Sequence, residues 1–339
     1  MDPFAALDRI AYLLERTGAP RFRVQAFRGA AASLRDLDPA DFEARAKTGR
    51  LRDLPGIGQV TEAVVVEALA GQIPAYLAKL EEEVGEVVGA DDTKAAVYLD
   101  ALRGDCHTHS DWSDGGSPIE KMAETARDLG HDYIVLTDHS PRLTVARGLT
   151  AERLRRQLDV VAEVNERLAP FRILTGIEVD INEDGTLDQE EELLAQLDVV
   201  VASVHSKLRA EAPLMTRRML AAIANPHMDI LGHCTGRLLT ARARPESTFD
   251  AEAVFAACAE TGTAVEINCR PERLDPPLRL LSMAVAAGCW FSLDTDAHAP
   301  GQLEWQPNGA IRAAKCDVPI DRVVNTRSAD DLVAWAAQK

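Results

Sequence analysis

A chain of 339 residues, 46% of them apolar, is long enough to bury one large core and one small one, and its net charge of −17 argues against a protein that coats nucleic acid electrostatically. No apolar run approaches the ~18 residues of a membrane span, and the opening MDPFAALDRI lacks the basic start of a secretory signal, so no membrane segment and a cytoplasmic location are expected. Six cysteines without a CxxC pair or regular spacing read as free thiols, most of them small core residues.

Residues 1–83 predict a small all-helical domain. Apolar residues recur at helical spacing in Ile10, Leu13 and Leu14 and again in Val64, Val65, Ala68 and Leu69. Between them, Leu54-Pro-Gly-Ile-Gly58 breaks the pattern, and a helix restarts at once. A turn through Gly56 and Gly58 aims backbone N–H groups at a helix N-terminus, where phosphate can bind; taken alone, the motif reads equally well as a plain helix–helix turn. Arg16, Arg21, Arg23 and Arg28, with Phe22 and Phe27 interleaved, add a nucleic-acid signal that acidic neighbours temper. Residues 1–80 hold eleven Lys/Arg against ten Asp/Glu, so the acidic excess lies beyond them. The DNA-contacting candidates are therefore Gly56, Gly58, Arg23 and Arg28. Residues 84–100, with Gly85, Gly89 and an acidic pair, are expected to be a linker.

From Arg103 onward, short apolar runs alternate with helical segments. Ser117 is expected to cap a helix that starts at Pro118, with Glu120 completing a capping box; Asp250 opens another helix, which Gly262 closes. Repeated βα units of this kind predict a parallel sheet or barrel over residues 101–339. The strand-like runs end on one kind of chemistry. In chain order they deliver His107, His109 and Asp114; His139; Glu178; His205; His233; a polar Asn268; then Asp294, Asp296 and His298.

In a (β/α) barrel the C-terminal strand ends converge on one face. Nine groups would then meet there: His107, His109, Asp114, His139, Glu178, His205, His233, Asp296 and His298. A single histidine on a strand is as often a hydrogen-bonded core residue as a ligand. Six of the eight in this chain, joined by Asp and Glu at strand ends, are not. His-x-His alternates along a strand, so the rings of His107 and His109 face the same side. Imidazole with carboxylate suits Zn²⁺, Mn²⁺ or Fe²⁺, and nine ligands require two or three divalent ions. His131 and His227 fall outside the scheme.

Other motifs carry less. Asp180-Ile-Asn-Glu-Asp184-Gly185 with Glu191 fits the EF-hand loop pattern, but a strand-like run precedes it where that motif needs a helix, so it reads as an acidic solvated loop. Glu190–Glu192 reads as a solvated helix start. There is no Walker A sequence and no GxSxG elbow.

The segments GDCHTHSDWSDG, YIVLTDHS, GIEVDINEDGTLD, DVVVASVHS, NPHMDILGHCTGRLL, EINCRPERLD and DTDAH, taken in order, resemble the polymerase-and-histidinol-phosphatase (PHP) domain family, and within it the C-terminal part of bacterial family-X DNA polymerases. FRVQAFRGAAASL and LPGIG resemble the N-terminal helix-hairpin-helix domain of the same polymerases. The resemblance implies a distorted, TIM-like (β/α)7 barrel behind a small all-α domain. It further implies that His107, His109, Glu178 and Asp296 hold one ion, that Glu178 bridges to a second held by His205 and His233, and that Asp114, His139 and His298 hold a third. The polymerase palm, fingers and thumb are missing, so DNA synthesis is not expected. Two departures stand out. Cys234 takes the place of a common proline and would be an extra soft ligand, and Gln59–Val65 holds no lysine for lyase chemistry.

The activity expected is metal-assisted hydrolysis of a phosphate ester, with Glu178 at the centre and Arg237, Arg270 and Lys207 as candidates to grip the phosphate. A phosphoesterase acting on DNA ends or single strands, as a 3′→5′ exonuclease or 3′-phosphatase in DNA repair, is the first reading. A small-metabolite phosphatase of the histidinol-phosphate type is the second, and a non-catalytic DNA- or partner-binding module the third.

Overall fold

In the computed structural model, which describes residues 1–84, 93–240 and 243–338, the chain divides into two units, Met1–Val87 and Val88–Lys339. The first is built of helices α1 (Pro3–Arg16), α2 (Arg21–Arg35), α3 (Pro39–Thr48), α4 (Gln59–Leu69) and α5 (Ala75–Val84). Its helix starts are written in the sequence. The Asp2 and Asp38 carboxylates accept from the N–H groups of Ala5 and Ala40, and proline stands next in each case, where its missing N–H costs nothing. Leu7, Ile10 and Leu14 of α1 pack on Ala30, Ala31 and Leu34 of α2 and on Val64, Val65 and Ala68 of α4 in a core closed to water. Gly56 takes φ +82°, and Gly58, at the head of α4, donates its N–H to Thr61 Oγ1 at 2.9 Å.

The second unit begins with α6 (Thr93–Ala101) and then alternates β1 (Gly104–Thr108), α7 (Ile119–Asp128), β2 (Tyr133–Leu136), α8 (Ala151–Leu168), β3 (Arg172–Asp180), α9 (Glu191–Leu194), β4 (Val199–Ser203), α10 (Ala212–Ile223), β5 (Ile230–Leu231), α11 (Ala251–Thr261), β6 (Ala264–Asn268), α12 (Leu278–Ala286), β7 (Trp290–Asp294), α13 (Gln306–Lys315) and α14 (Ala329–Ala336). All neighbouring strands pair in parallel, and their spatial order is the sequence order β1 to β7. The sheet nearly closes on itself. Thr108 bridges Ala297 just past β7, and the Cys106 N–H donates to Asp294 Oδ1 at 2.9 Å. Strands such as Val199–Ser203 are buried at every position, as expected where helices cover the outer face and side chains fill the barrel. This is a distorted (β/α)7 barrel; the two-residue β5 is its weakest stave.

Local expectations fare unevenly. Asp250 accepts from the Ala253 N–H at 3.1 Å, and Gly262 ends α11 at φ +75°. Ser117 is displaced by one position, because Pro118 is extended and stands at the cap without a side-chain bond. Of the expected linker, residues 93–100 are helical in α6; Gly85, Gly89 and the acidic pair lie outside the described residues. The EF-hand-like segment follows strand β3 and folds back through an antiparallel Ile181–Leu187 bridge, with Asp184 accepting from Thr186, so it is a self-satisfied turn. All six cysteines are free, five of them buried. Among the described residues no helix is long and apolar enough to cross a membrane.

Candidate metal centre

His107 lies on β1 and His109 one residue beyond it, with Asp114 on the following loop. His139 comes three residues after β2 and bridges to Glu178 on β3. His205 and His233 each stand two residues past β4 and β5, and Asp296 and His298 follow β7. Every one of these positions is at the C-terminal side of its strand, so the barrel brings all nine predicted groups to one face. Asp296 sits in the left-handed region at φ +53°, a conformation aspartate tolerates better than most residues.

Glu178 is the hub. Its Oε1 is 2.9 Å from His233 Nε2 and 3.3 Å from His205 Nε2, while its Oε2 is 2.8 Å from His139 Nδ1, 3.4 Å from His107 Nε2 and 3.6 Å from His109 Nε2. A second node is Asp114, whose Oδ1 stands 3.3 Å from His298 Nε2 and 3.5 Å from His139 Nε2. Asp296 Oδ1 is 3.4 Å from His109 Nε2 and 3.5 Å from His298 Nδ1. Three sets offer ligand atoms within 4.8 Å of one another: His109 with Asp114, His139 and His298; His107 with His109 and Glu178; and His139 with Glu178 and His205.

Proton bookkeeping shows that these residues fit divalent cations. Both Glu178 oxygens are buried and accept no hydrogen bond, and the Nε2 atoms of His107, His109, His205 and His233 have no partner either. His107 Nδ1 donates to Glu266 Oε1 at 2.6 Å, and His205 Nδ1 donates to Asp180 Oδ1 at 3.0 Å. With Nδ1 protonated, each Nε2 carries a lone pair that faces a carboxylate lone pair at 3.3–3.4 Å. Protons relieve this at His107 and His205, which their carboxylate neighbours raise, but not at the other two rings. Burial opposes charge on His205, yet Glu178 and Asp180 raise it to about 9; burial and the nearby Arg273 push His233 down to about 4. Burial and then His298 and His139 likewise hold His109 well below the usual imidazole range. Leaving a buried carboxylate without hydrogen bonds costs several kcal/mol. Cations between the lone pairs satisfy all of these atoms at once.

Residues not foreseen from sequence hold this arrangement. Asp180 also accepts from the His205 backbone N–H at 3.1 Å. Asp138, buried beside His139, accepts from Ser110 Oγ at 2.5 Å and from Gln157 Nε2 at 2.6 Å, pinning the loop ahead of Asp114. These acids act across the barrel, and only the Asp-His order in YIVLTDHS hinted at the second.

A cavity of about 380 Å³ opens over the site, walled by Asp114, His139, His205, His298, Arg270 and Arg273. Arg270 presents Nη1 3.2 Å from His298 Nδ1, and Arg273 Nε lies 3.1 Å from Asp296 Oδ2. Arg273 Nε and Nη1 make no hydrogen bond. Of the predicted phosphate grips, only Arg270 lines this cavity. Arg237 is committed elsewhere, donating from Nε to the Arg273 carbonyl at 2.9 Å and from Nη2 to the Leu274 carbonyl, so it braces the loop that carries Arg273. Lys207 lines a separate cavity beside α10. Cys234 is also corrected: its thiol points at Asp275 (3.8 Å), and burial and that carboxylate push it well up, which keeps it protonated and a poor ligand.

In the helical unit, Arg28 is withdrawn from any phosphate role, since it forms a forked pair with the buried Glu15 at 3.0 and 3.1 Å. Arg23 is exposed and reaches Tyr76 Oη at 2.7 Å, which leaves donors facing solvent. Gly56 and Gly58 form the turn into α4, although the Gly58 N–H is taken by Thr61.

Residues 105–270 match the PHP domain and residues 2–72 the Helix-hairpin-helix domain. The chain is 38% identical over 263 residues to the "DNA polymerase/3′-5′ exonuclease PolX" of Bacillus subtilis, which covers 78% of this chain and 46% of that protein. It is 32% identical over 171 residues to a "Probable phosphatase" of Thermoanaerobacter sp., covering 48% of this chain and 63% of the other, and 29% identical over 249 residues to one of Shewanella sp., covering 69% and 91%. The chain thus spans about half the length of the Bacillus relative. Among solved structures, a histidinol phosphate phosphatase of Lactococcus lactis in complex with zinc, L-histidinol and phosphate superposes with TM-score 0.48 at 18% identity, covering 64% of this chain and 94% of that one.

Proposed function

Since the chain belongs to the PHP-domain family and carries a helix-hairpin-helix domain ahead of that barrel, we propose that it is a metal-dependent phosphoesterase that hydrolyses DNA at 3′ ends or in single strands. The observation that carries the hydrolase reading is Glu178, a buried carboxylate with both oxygens unbonded and five imidazoles around it. Two or three ions of the Zn²⁺, Mn²⁺ or Fe²⁺ type bound there supply Lewis acidity and a nucleophilic oxygen at neutral pH. As the family resemblance implies, His107, His109, Glu178 and Asp296 would form one cradle, Glu178 with His205 and His233 a second, and Asp114, His139 and His298 a third, with His109 and His139 close enough to serve two of them. Around them, Arg270 and Arg273 place guanidinium groups at the cavity wall, where the transferred phosphoryl group gathers negative charge. Glu178 keeps its own charge centred between the cradles, and the Nδ1–H bonds of His107 and His205 hold their Nε2 lone pairs on target.

Arg273 is expected to act on the bound phosphate and not on the fold. In the Arg273→Ala enzyme KM rises and kcat/KM falls about tenfold to a hundredfold, the 1.5–3 kcal/mol of one charge-assisted hydrogen bond. Steady-state kinetics measure it, and an unchanged kcat/KM would remove Arg273 from the site. Arg237→Ala should instead lower the melting temperature, because it frees backbone carbonyls rather than a phosphate grip.

The DNA reading rests on the helix-hairpin-helix match, not on net charge. It predicts that the intact protein binds single-stranded DNA with an affinity that falls steeply with salt, and that deleting residues 1–83 removes most of that affinity while leaving cleavage of a small phosphate ester intact. Fluorescence anisotropy at two salt concentrations reads it out. The metabolite-phosphatase reading is favoured by one observation: the acidic excess of the chain lies in the barrel. It predicts that the same deletion changes nothing.

A further inference from the structure

Strand β6 supplies none of the nine groups assigned to the metal cradles, yet it carries a fully shielded acid in contact with two of them. Glu266 is fully buried, and among the described residues its only ion-pair partner is His107. One oxygen accepts the His107 Nδ1–H at 2.6 Å. The other accepts the backbone N–H of His233 and, at 3.2 Å, the Asn268 Nδ2 amide. Asn268, two residues on and therefore on the same side of the strand, reaches Asp296 Oδ2 at 3.3 Å with the same nitrogen. One pair of β6 side chains thus touches groups delivered by β1, by the end of β5 and by the end of β7.

We infer that Glu266 is the positioning residue of the metal centre, a single carboxylate that fixes the ring of His107 and the main chain of His233 and thereby sets metal affinity. This rests on the metal-dependent reading above. The chemistry admits little else at this position. His107 must present Nε2 unprotonated toward Glu178, and only an acceptor on Nδ1 selects that tautomer. The His233 N–H, pointing into the barrel beside it, needs an acceptor at the same place, and the two carboxylate oxygens supply both. A glutamine can supply one. Its NH₂ then confronts a second donor, either the His107 ring or the His233 main chain. Aspartate keeps both oxygens but is one methylene too short to span the two partners. The negative charge of Glu266 also makes the His107 ring a stronger donor to a cation, an effect that an amide does not reproduce.

The test compares wild type with Glu266→Gln. Manganese and zinc affinities are measured by competition with a chromophoric chelator, metal content by elemental analysis after dialysis, and folding by circular dichroism in EDTA. The expected result is a metal affinity weakened about tenfold to a hundredfold with unchanged far-UV spectrum, and activity that returns as Mn²⁺ is raised. Rescue by metal separates positioning from a folding defect. Wild-type affinity within threefold in the glutamine enzyme overturns the inference; a wild-type protein that binds neither ion overturns the metal reading instead. A second measurement needs no variant. Nitrogen-15 spectra of the metal-loaded wild type should show His107 protonated on Nδ1 and bound through Nε2, and the opposite tautomer overturns the assignment even if Glu266→Gln fails to fold.

Discussion

The Glu178→Gln enzyme retains less than about one thousandth of wild-type kcat/KM on any phosphate ester, the loss of several kcal/mol of transition-state stabilisation. The size follows from where the carboxylate sits. Five imidazoles, arriving from β1, β2, β4 and β5, lie within 3.6 Å of its two oxygens. An amide is nearly the same size but is neutral and presents an NH₂ to at least two of those nitrogens. Two cradles then lose their shared anion, so metal content should fall together with activity. Elemental analysis beside initial rates makes the comparison. An Asp138→Asn enzyme, altered at the carboxylate that holds the loop ahead of Asp114 but not in a cradle, should lose metal and activity less steeply.

Stripping the protein with EDTA abolishes turnover and lowers the melting temperature of the barrel by roughly 5–10 °C. The shift follows from linkage: ligand at a hundred times its Kd contributes about 2.7 kcal/mol, and each kcal/mol moves a barrel of this size by about 2–4 °C. Its structural source is the set of buried nitrogens and oxygens that no protein group satisfies. Removing the ions leaves His107 and His205, whose carboxylate neighbours raise them, to take up protons, while His109 and His233 resist them. The helical unit has its own core, built from α1, α2 and α4, and should melt at the same temperature with or without EDTA. Scanning calorimetry with and without chelator resolves the two transitions.

The barrel and the gathering of its histidines were legible because both depend on local pattern. Apolar runs alternating with helical ones announce βα units, and a barrel collects strand ends on one face whatever the details of the loops. Side-chain direction beyond a strand end is a different matter. Arg237 and Arg270 look alike in sequence, each a few residues past a strand, yet one turns to brace the neighbouring loop after β6 and the other lines the cavity. Arg273, three residues on, was overlooked because nothing local distinguishes it from a surface cation. Arg28 looked free only because its partner Glu15 lies thirteen residues away on the preceding helix. Glu266 was invisible for the same reason: its partners come from other strands, and apolar neighbours make it look like an ordinary sheet residue. Asp180 stood out only as the head of an EF-hand-like loop, because its partner His205 lies past the next strand.

One assay tests metal-dependent hydrolysis of phosphate esters at DNA ends directly. A 5′-labelled single-stranded oligonucleotide, ending in a 3′-hydroxyl or a 3′-phosphate, and histidinol phosphate are incubated in parallel with the intact protein and Mn²⁺, each with an EDTA control. Stepwise shortening or 3′-dephosphorylation of the DNA, abolished by EDTA and by Glu178→Gln, is the predicted result. Turnover of histidinol phosphate alone would contradict the DNA assignment, and no turnover of either substrate with Mn²⁺, Zn²⁺ or Fe²⁺ would contradict the hydrolase itself.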